Sequence, residues 1–282
     1  MARPTHAVNS TKIALEEVGY HALTLRFLLR SLRHAAGPAI LVNATPKTGT
    51  TWLVHMVESI PGYRNAGNFK GNIDRYRDVQ EGTVIHGHDL YTPELARLLS
   101  SRKIKVVVTI RDPRDQTVSR MFHVRRDTTH PWYERLRQMQ TDEALMKVIE
   151  GGAGLPSVYE SNMISKKWLD HQDDNIMCVR YEDTLADPEG EFTRVVNFLG
   201  IPLGTKLISA IVHRNRFERS VLGRRIWATG RLPGEEDQLS HFRKGIAGDW
   251  RNYFGPQHIQ RIKEVAGDLF IEMGYEKSTT WE

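Results

Sequence analysis

The sequence predicts an α/β fold in which a central, mostly parallel sheet carries helices on both faces, giving three layers. Two observations support this class. Short runs rich in β-branched and aliphatic residues alternate with segments of helical pattern, which is typical of parallel strands joined by crossover helices. The chain also has 282 residues, of which 40% are hydrophobic, and this is enough to bury a large core.

The individual elements follow from these patterns in chain order. Four apolar runs predict strands: "AILVNA" (39–44), "TVIHGH" (83–88), "KVVVTI" (105–110) and "NIMCVRY" (175–181). Helical patterns predict helices over 50–59, 93–100, 115–124, 133–150, 157–171, 188–199, 203–213 and 256–273. Loops rich in glycine and charge are predicted at 61–82, 125–132 and 218–241, with a "GGAGLP" break at 151.

The N-terminal region, residues 1–36, is predicted to be an amphipathic helical extension of a single domain over residues 37–282. Its apolar residues recur at spacings of four and three, on one face of a helix: Val18, Ala22, Leu25, Leu29 and Leu32. We expect this face to pack on the domain or on a partner subunit; contact with an anionic membrane surface is the alternative. Arginines interrupt the run, so no stretch reaches the roughly 18 uncharged residues of a membrane span.

Charge and cysteine content narrow the class of protein. The chain has 39 Lys and Arg against 34 Asp and Glu, a formal charge of +5. This mild excess favours an anionic ligand, but it lacks the dense basic stripe of a nucleic-acid-binding protein, so no nucleic-acid partner is expected. The single cysteine, Cys178, excludes an internal disulfide and fits a reducing compartment. We therefore expect a cytoplasmic protein.

The segment "PKTGTTW", residues 46–52, lies between the first predicted strand and a predicted helix. Such a turn presents unpaired backbone N–H groups at the positive end of the helix dipole, and these attract anions. Lys47 adds a full charge, Gly49 allows close approach of the backbone, and the threonines add hydroxyl donors. A simple turn with a threonine cap is the alternative. The segment is not a Walker A motif, because Lys47 precedes Gly49.

Two later segments have a similar character. In "RDPRDQTVSRMF", Arg111 at a strand end and Ser119 on the following helix could converge on a second phosphate. The alternative is a helix start with its arginines in solvent. Near the C-terminus, the "RKG" block at 243–245 sets two cations beside a glycine that exposes backbone N–H groups. Three anion-seeking elements indicate a ligand with several phosphates.

Together these segments resemble a known family. "PKTGTTW", "RDPRDQTVS" and "RKGIAGDWRNYF" are similar, in this order, to the signature blocks of the cytosolic-type sulfotransferases. These enzymes use 3′-phosphoadenosine 5′-phosphosulfate (PAPS) and release 3′-phosphoadenosine 5′-phosphate (PAP). "VRYEDTLADP" resembles the family's Tyr-Glu-Asp segment, so the likeness covers most of the chain from about Pro38 onward. The resemblance implies a P-loop-like fold and a PAPS-dependent sulfotransferase that needs no metal.

The resemblance also implies which residues bind the donor. The turn at 47–51 would hold the 5′-phosphosulfate, Arg111 and Ser119 would bind the 3′-phosphate with the "RKG" block, and aromatic side chains would contact the nucleoside. The complete set is Lys47, Thr48, Gly49, Thr50, Thr51, Trp52, Arg111, Ser119, Tyr181, Phe217, Arg243, Lys244 and Gly245.

The expected catalytic residues come from the same resemblance. Family members place a histidine in a Lys-Thr-His-Leu-Pro segment after the second strand, and here that segment reads "VIHGHDLYTP". His88 matches the histidine and is the expected general base, because a neutral imidazole accepts a proton near neutral pH. His86 stands where the lysine would be and could assist. Lys47 would neutralise the leaving oxygen during in-line displacement, with Ser119 steering that lysine.

The sequence does not determine the acceptor, and it leaves two other classes of function as alternatives. In the family that this chain resembles, loops 61–82, 125–155 and 218–241 would line the acceptor side. They mix arginines with aromatic residues, so their composition does not decide the acceptor; the aromatic residues are Tyr63, Phe69, Tyr76, Trp132, Tyr133 and Trp227. We favour a small-molecule or lipid alcohol, with a carbohydrate hydroxyl next. The alternatives are a nucleotide-dependent kinase or NTPase and a non-catalytic nucleotide-binding module. The family's dimer motif has no clear counterpart near the C-terminus, which leaves a homo-oligomer formed by other contacts open.

Overall fold

The sheet has five parallel strands. The computed structural model describes residues 10–30, 37–171, 173–217, 233–238 and 242–281. The strands are β1 (Ile40–Ala44), β2 (Arg64–Asn68), β3 (Thr83–Gly87), β4 (Lys105–Ile110) and β5 (Ile176–Arg180). They pair in the order β2-β3-β1-β4-β5. All four predicted strands are confirmed. The edge strand β2 lies in a predicted loop, because its sequence "RNAGN" has no apolar pattern and is largely exposed.

Helices connect the strands and cover both faces of the sheet. They are α1 (Ser10–Arg30), α2 (Thr50–Glu58), α3 (Pro93–Ser101), α4 (Pro113–Arg126), α5 (Tyr133–Gln138), α6 (Thr141–Glu150), α7 (Val158–Leu169), α8 (Tyr181–Ala186), α9 (Pro188–Phe198), α10 (Thr205–Arg214) and α11 (Pro256–Glu272). The single helix predicted over 133–150 is two helices, because Gln140 and Glu143 form a capping box that starts α6 anew. The predicted strand 175–181 ends at Arg180, and Tyr181 begins α8.

The core has two parts, one on each face of the sheet. Successive side chains of a strand point to opposite faces. Leu41 and Val108 therefore pack with α4, α6, α7 and α11, whereas Val42 and Val107 pack with α2, α9 and α10. The predicted three-layer α/β class is confirmed.

The strand order creates a crevice at the carboxyl ends of the central strands. From β1 the chain continues to β2 and β3 on one side of the sheet and then crosses to β4 on the other side of β1. In open parallel sheets, ligands bind outside the carboxyl ends of the strands where the order reverses in this way. The "PKTGTTW" turn, the end of β3 and the start of α4 all lie at this edge.

The N-terminal helix α1 packs on the domain through polar and aromatic anchors. Tyr20 is buried, and its hydroxyl donates a hydrogen bond to the Ser59 carbonyl at 2.6 Å. Leu23 and Phe27 pack against the same part of the core. This face of α1 is not the face that the apolar stripe predicted.

The predicted stripe of α1 faces solvent instead. Val18 is 67% exposed and Leu25 is 59% exposed. The expectation that the stripe packs on the domain is therefore wrong, because the larger rings on the opposite face fill the contact. The side chain of Leu29 and all of Leu32 lie outside the described residues. Within the described ranges, no helix combines the length and the hydrophobicity needed to cross a membrane.

Candidate active site

One cavity at the carboxyl edge of the sheet gathers almost all of the predicted site residues. Its volume is about 340 Å³. Of the predicted residues, Thr48 is not in its lining; those that line it are Lys47, Gly49, Thr50, Thr51, Trp52, His86, His88, Arg111, Ser119, Tyr181, Phe217, Arg243, Lys244 and Gly245. Segments separated by about 200 positions in the sequence thus meet at a single site.

The "PKTGTTW" turn has the backbone conformation of an anion-binding loop. Lys47 has φ +76° and Gly49 has φ +92°, so the chain reverses within three residues. A Cβ atom at Gly49 would lie 2.7 Å from Tyr181 Cδ2, which only glycine avoids. No described side chain caps the N-terminus of α2, so its first N–H groups stay available to a ligand.

Two threonine hydroxyls shape this turn from the inside. Thr48 donates a hydrogen bond to the Thr45 carbonyl at 2.8 Å and lies 2.9 Å from the Thr109 hydroxyl. Thr50 also contacts Thr109, at 3.1 Å. The buried Thr48 side chain therefore supports the turn, and a contact between Thr48 and a ligand would have to use its backbone N–H group.

Lys47 lies among other cations. Burial, followed by the charges of Arg126, Arg111 and Arg243, lowers the pKa of the Lys47 ammonium to about 7. Burial is the main cause of the shift, and the three arginines that add to it create a positive potential that would attract an anionic ligand.

Arg111 connects the turn to the C-terminal loop. Its guanidinium donates to the carbonyls of Lys47 at 3.4 Å and Ile246 at 3.2 Å, and it lies 4.4 Å from the centre of the Tyr181 ring. The buried Arg111 Nε has no hydrogen-bond partner within the part of the chain that the structure describes. A buried charged donor without a partner is costly, and a phosphate oxygen would satisfy it.

Two buried carboxylates position the "RKG" block. Asp115 of α4 accepts hydrogen bonds from the backbone N–H groups of Gly248 at 2.6 Å and Trp250 at 2.8 Å. Asp249 pairs with Arg243, and it accepts from Lys244 Nζ at 2.7 Å. Sequence reasoning missed both acids, although each lies inside a motif that it had singled out.

A close ring contact shows why the block ends in glycine. Gly245 has φ +67°, and a Cβ atom there would lie 2.6 Å from Phe217 Cδ2. Phe217 and Tyr181 thus each cover a glycine of the cavity wall. Trp52 is fixed nearby, because its indole N–H donates to the Asn215 carbonyl at 2.8 Å. These rings offer flat surfaces suited to a nucleoside base.

His88 follows β3 directly and is held in one orientation. Its Nδ1 donates to the Ala44 carbonyl at 2.7 Å, and because a carbonyl only accepts, the other ring nitrogen, Nε2, keeps its lone pair. Burial lowers the pKa of His88, outweighing the raising effects of the Ala44 bond and the Asp89 charge. The imidazole is therefore neutral near pH 7, as a proton acceptor must be.

The segment that carries His88 is itself anchored. The Asn43 side-chain amide donates to the Asp89 carbonyl at 2.8 Å and accepts from the Asp89 N–H at 2.8 Å. Trp168 Nε1 donates to the same carbonyl at 2.8 Å, and the Tyr76 hydroxyl donates to the Asp89 carboxylate at 2.6 Å. Sequence reasoning had not identified this support.

Three further histidines line the cavity. His86 packs edge-on against His88 with ring centroids 4.9 Å apart, and its buried Nε2 has no hydrogen-bond partner among the described residues. Burial and the neighbouring His88 and His55 lower the pKa of His86 to about 4. His55 and His123 also line the cavity and were missed by sequence reasoning, because no motif marks them.

The aromatic residues expected on the acceptor side lie elsewhere. Tyr63, Phe69, Tyr76 and Trp132 are buried in the core and do not line the cavity. Tyr133 is half-buried and does not line the cavity either. Their loops cross the surface, but the rings turn inward because apolar area is buried wherever the chain permits. Trp227 lies outside the described residues.

Comparison with known proteins identifies the family of this chain. The family model of the sulfotransferase domain matches residues 38–274. Human sulfotransferase 2B1 is 25% identical over 255 residues, covering 84% of this chain and 67% of the relative, so the chain spans about two thirds of that protein's length. Sulfotransferase 6B1 of Danio rerio is 26% identical over 260 residues, covering 84% of this chain and 79% of the relative.

A solved structure shows the same fold. Mouse sulfotransferase SULT7A1, crystallised with PAP, superposes with a TM-score of 0.63 at 22% identity, covering 83% of this chain and 85% of the mouse chain. The family match spans most of the sequence, so this chain belongs to the sulfotransferase family. The predicted enzyme class is confirmed.

Proposed function

We propose that the protein transfers a sulfuryl group from PAPS to an acceptor hydroxyl, with a small-molecule or lipid alcohol as the favoured acceptor and a carbohydrate next. The observation that carries this proposal is the meeting of three anion-binding segments with His88 in one cavity. Each segment alone suits many proteins, but their convergence suits a ligand with phosphates at two ends.

The cavity offers separate positions for the two ends of the donor. The glycine turn, with Lys47 and the open N-terminus of α2, would hold the 5′-phosphosulfate. Arg111 Nε, Ser119 and the "RKG" block would hold the 3′-phosphate, and the rings of Trp52, Tyr181 and Phe217 would hold the nucleoside. These assignments fit the orphaned Arg111 donor and the glycines that the rings cover.

In this reaction the chain must accept the proton of the attacking hydroxyl and neutralise the negative charge that develops on the leaving oxygen. PAPS supplies a sulfuryl group, whose bond to the bridging phosphate oxygen breaks as a bond to the acceptor oxygen forms. His88 Nε2 takes the proton from the attacking hydroxyl. The Lys47 ammonium neutralises the charge that develops on the bridging oxygen, and Ser119 orients that lysine. His86 lies against His88 and assists by polarising it or holding the acceptor hydroxyl.

Transfer is proposed to need no metal ion. Among the residues that the structure describes, no three or more His, Cys, Asp or Glu side chains are arranged so that they could hold a metal ion. The proposal itself is tested with a chelator. Transfer measured with and without a chelator is expected to be equal. A loss of activity that magnesium restores would contradict the proposal.

We also propose that the protein is cytoplasmic. Burial raises the pKa of the Cys178 thiol to about 11, which makes this single cysteine unreactive and fits a cytoplasmic protein. The exposed stripe of α1 suits contact with a membrane surface or with a second copy of the chain. Vesicle sedimentation and analytical ultracentrifugation would test the two contacts.

The experiment that tests the donor is a calorimetric titration with PAP, adenosine 5′-phosphate and ATP with magnesium. PAP is expected to bind at least about a hundredfold more tightly than adenosine 5′-phosphate, because only PAP engages Arg111 and the "RKG" block. Tighter binding of ATP with magnesium would contradict the proposal and favour a kinase or NTPase.

A further inference from the structure

The Trp52 ring in the cavity wall is held by two helices. Trp52 belongs to α2, and its indole N–H donates to the carbonyl of Asn215, the residue that follows α10. Both residues line the cavity. The position of the ring therefore depends on how the start of α2 lies against the end of α10.

A second contact joins the same two helices. The Asn215 side-chain amide donates to the hydroxyl of Ser59, the residue that follows α2, at 3.1 Å. The Ser59 hydroxyl gives its own proton to the His55 carbonyl at 2.7 Å, so its oxygen accepts the bond from Asn215. Asn215 thus contacts α2 at its first turn and again after its last turn.

The N-terminal helix α1 contacts both sides of this arrangement. The Tyr20 hydroxyl donates to the Ser59 carbonyl at 2.6 Å, and the centre of the Tyr20 ring lies 4.4 Å from the Arg214 guanidinium. The Glu17 carboxylate lies 3.4 Å from Arg214 Nη1. Arg214 is the last residue of α10 and itself lines the cavity. α1 therefore contacts Ser59, to which Asn215 bonds, and Arg214, which precedes Asn215 in the chain.

These contacts are largely removed from water. Tyr20 is buried, and the side chains of Arg214 and Glu17 are only 10% and 18% exposed. Charges at such positions are screened less than charges at the surface, and loss of one partner leaves the other without its hydrogen bond or counter-charge. The contacts therefore hold α1 in one position against α2 and α10.

α1 lies outside the part of the chain that defines its family. The family match covers residues 38–274, whereas α1 ends at Arg30. The support that α1 gives to the cavity is therefore a property of this chain that does not follow from the family match.

From these contacts we propose that α1 is a positioning element of the nucleotide site. Tyr20 and Glu17 act through Ser59 and the end of α10 to fix the Trp52 ring, and they thereby strengthen binding of the nucleotide base. They are positioning residues, because neither lines the cavity. This inference rests on the proposed nucleotide site, and it concerns the base rather than the phosphates or the transfer step.

The test is calorimetry with PAP and with 1,2-dideoxyribose 3,5-bisphosphate, which carries two phosphates but no base. Tyr20→Leu removes the hydrogen bond and the ring contact, so PAP binding should weaken by about five- to tenfold, while the baseless compound changes by less than about twofold. Tyr20→Phe keeps the ring and Glu17→Gln keeps the shape, so each should cost about two- to fivefold for PAP alone. Unchanged PAP affinity in all three variants, or equal losses for both ligands, would overturn the proposal.

Two further variants of α1 separate positioning from stability. Phe27→Leu reduces apolar packing about two helical turns beyond Tyr20, so it should lower the free energy of unfolding and leave the ratio of the two affinities unchanged. Val18→Ala, on the exposed face of α1, should change neither quantity. A loss of the ratio in Phe27→Leu as large as in Tyr20→Leu would mean that α1 acts through stability alone, which overturns the proposal.

Fluorine NMR of protein labelled with 5-fluorotryptophan follows the ring itself. The Trp52 signal is assigned by its absence in Trp52→Phe, and it should shift in Tyr20→Leu and Glu17→Gln but not in Val18→Ala. A Trp52 signal that stays at its wild-type position in Tyr20→Leu would overturn the proposal. Tight PAP binding by the wild type with an unchanged affinity ratio in the variants overturns the role of α1 alone. Absence of PAP binding by the wild type contradicts the donor assignment and, with it, the role of α1.

Discussion

The two ends of the cavity are built differently. At the proposed donor end, buried carboxylates hold the cationic segment: Asp115 accepts from backbone N–H groups of the C-terminal loop, and Asp249 accepts from the Lys244 ammonium. At the proposed acceptor end, the Ala44 carbonyl holds the His88 imidazole, and the His123 ring, which also lines the cavity, accepts a hydrogen bond from Arg126. The first arrangement suits the binding of permanent negative charge, and the second suits moving one proton.

The largest effect expected from this contrast is at His88. His88→Ala should lower kcat by about 10²- to 10⁴-fold, because the general base is lost, while PAP binding is retained at the donor end. Single-turnover transfer and PAP calorimetry measure the two ends separately. His21→Ala, at an exposed histidine of α1, should leave both unchanged. If kcat of His88→Ala stays within threefold of the wild-type value, His88 is not the general base.

The donor end is tested next at Arg111. Arg111→Ala should weaken PAP binding by about 10- to 100-fold, since a charge-assisted bond to the 3′-phosphate is lost. Binding of adenosine 5′-phosphate, which lacks that group, should change much less. Arg102→Ala, at an exposed position after α3, is the control. Equal weakening of both nucleotides would mean that Arg111 only supports the Lys47 turn.

A pH effect follows from the lowered pKa of Lys47, which is about 7 in the unliganded protein. The negative charge of the nucleotide should raise the Lys47 pKa. Above pH 7, Lys47 is therefore deprotonated in the free protein and takes up a proton when the nucleotide binds. PAP affinity should therefore fall by up to about tenfold per pH unit as the pH rises above 7. Calorimetry in buffers of different ionisation enthalpy should show the proton uptake, and Lys47→Gln should abolish it.

The smallest effect concerns the support of His88. Asn43→Ala removes both hydrogen bonds to the Asp89 backbone and should lower kcat by roughly 3- to 30-fold through misplacement of the imidazole. The free energy of unfolding should fall by about 1–3 kcal/mol. PAP affinity should stay the same, because the donor end does not depend on this segment. Asn65→Ala, at an exposed position of β2, is the control; a drop in PAP affinity for Asn43→Ala would show that the two ends are not separable.

The predicted donor segments could be found in the sequence for a physical reason, and the structure brings them to one cavity. Phosphate binding uses contiguous residues at strand-to-helix turns, so "PKTGTTW" and "RKG" carry the information locally. The same holds for the strands, because "KVVVTI" and similar runs are buried on both faces. The arginines of "RDPRDQTVSR" were harder to interpret. Arg114 and Arg120 are buried rather than solvated, and Arg114 packs on the Trp250 ring while pairing with Asp112 and Glu276.

Two histidines of the cavity were missed because they are dispersed in the sequence. His55 comes from α2 and His123 from α4, and only the fold brings them to the cavity that His86 and His88 line. The loop aromatics were expected on the acceptor side from the family resemblance, but the position of a loop does not determine which way its rings point. The prediction that the apolar stripe of α1 packs on the domain was wrong for a similar reason, because the sequence pattern did not show that Tyr20 and Phe27 would make the contact instead.

The most direct test of the central claim is a crystal structure of the protein with PAP. We predict the 5′-phosphate against the turn at 47–51, the 3′-phosphate within hydrogen-bond distance of Arg111 Nε and the base beside Trp52, with His88 Nε2 facing the proposed acceptor position. A nucleotide bound elsewhere, or with its 3′-phosphate away from Arg111, would contradict the claim that the three segments form one PAPS site.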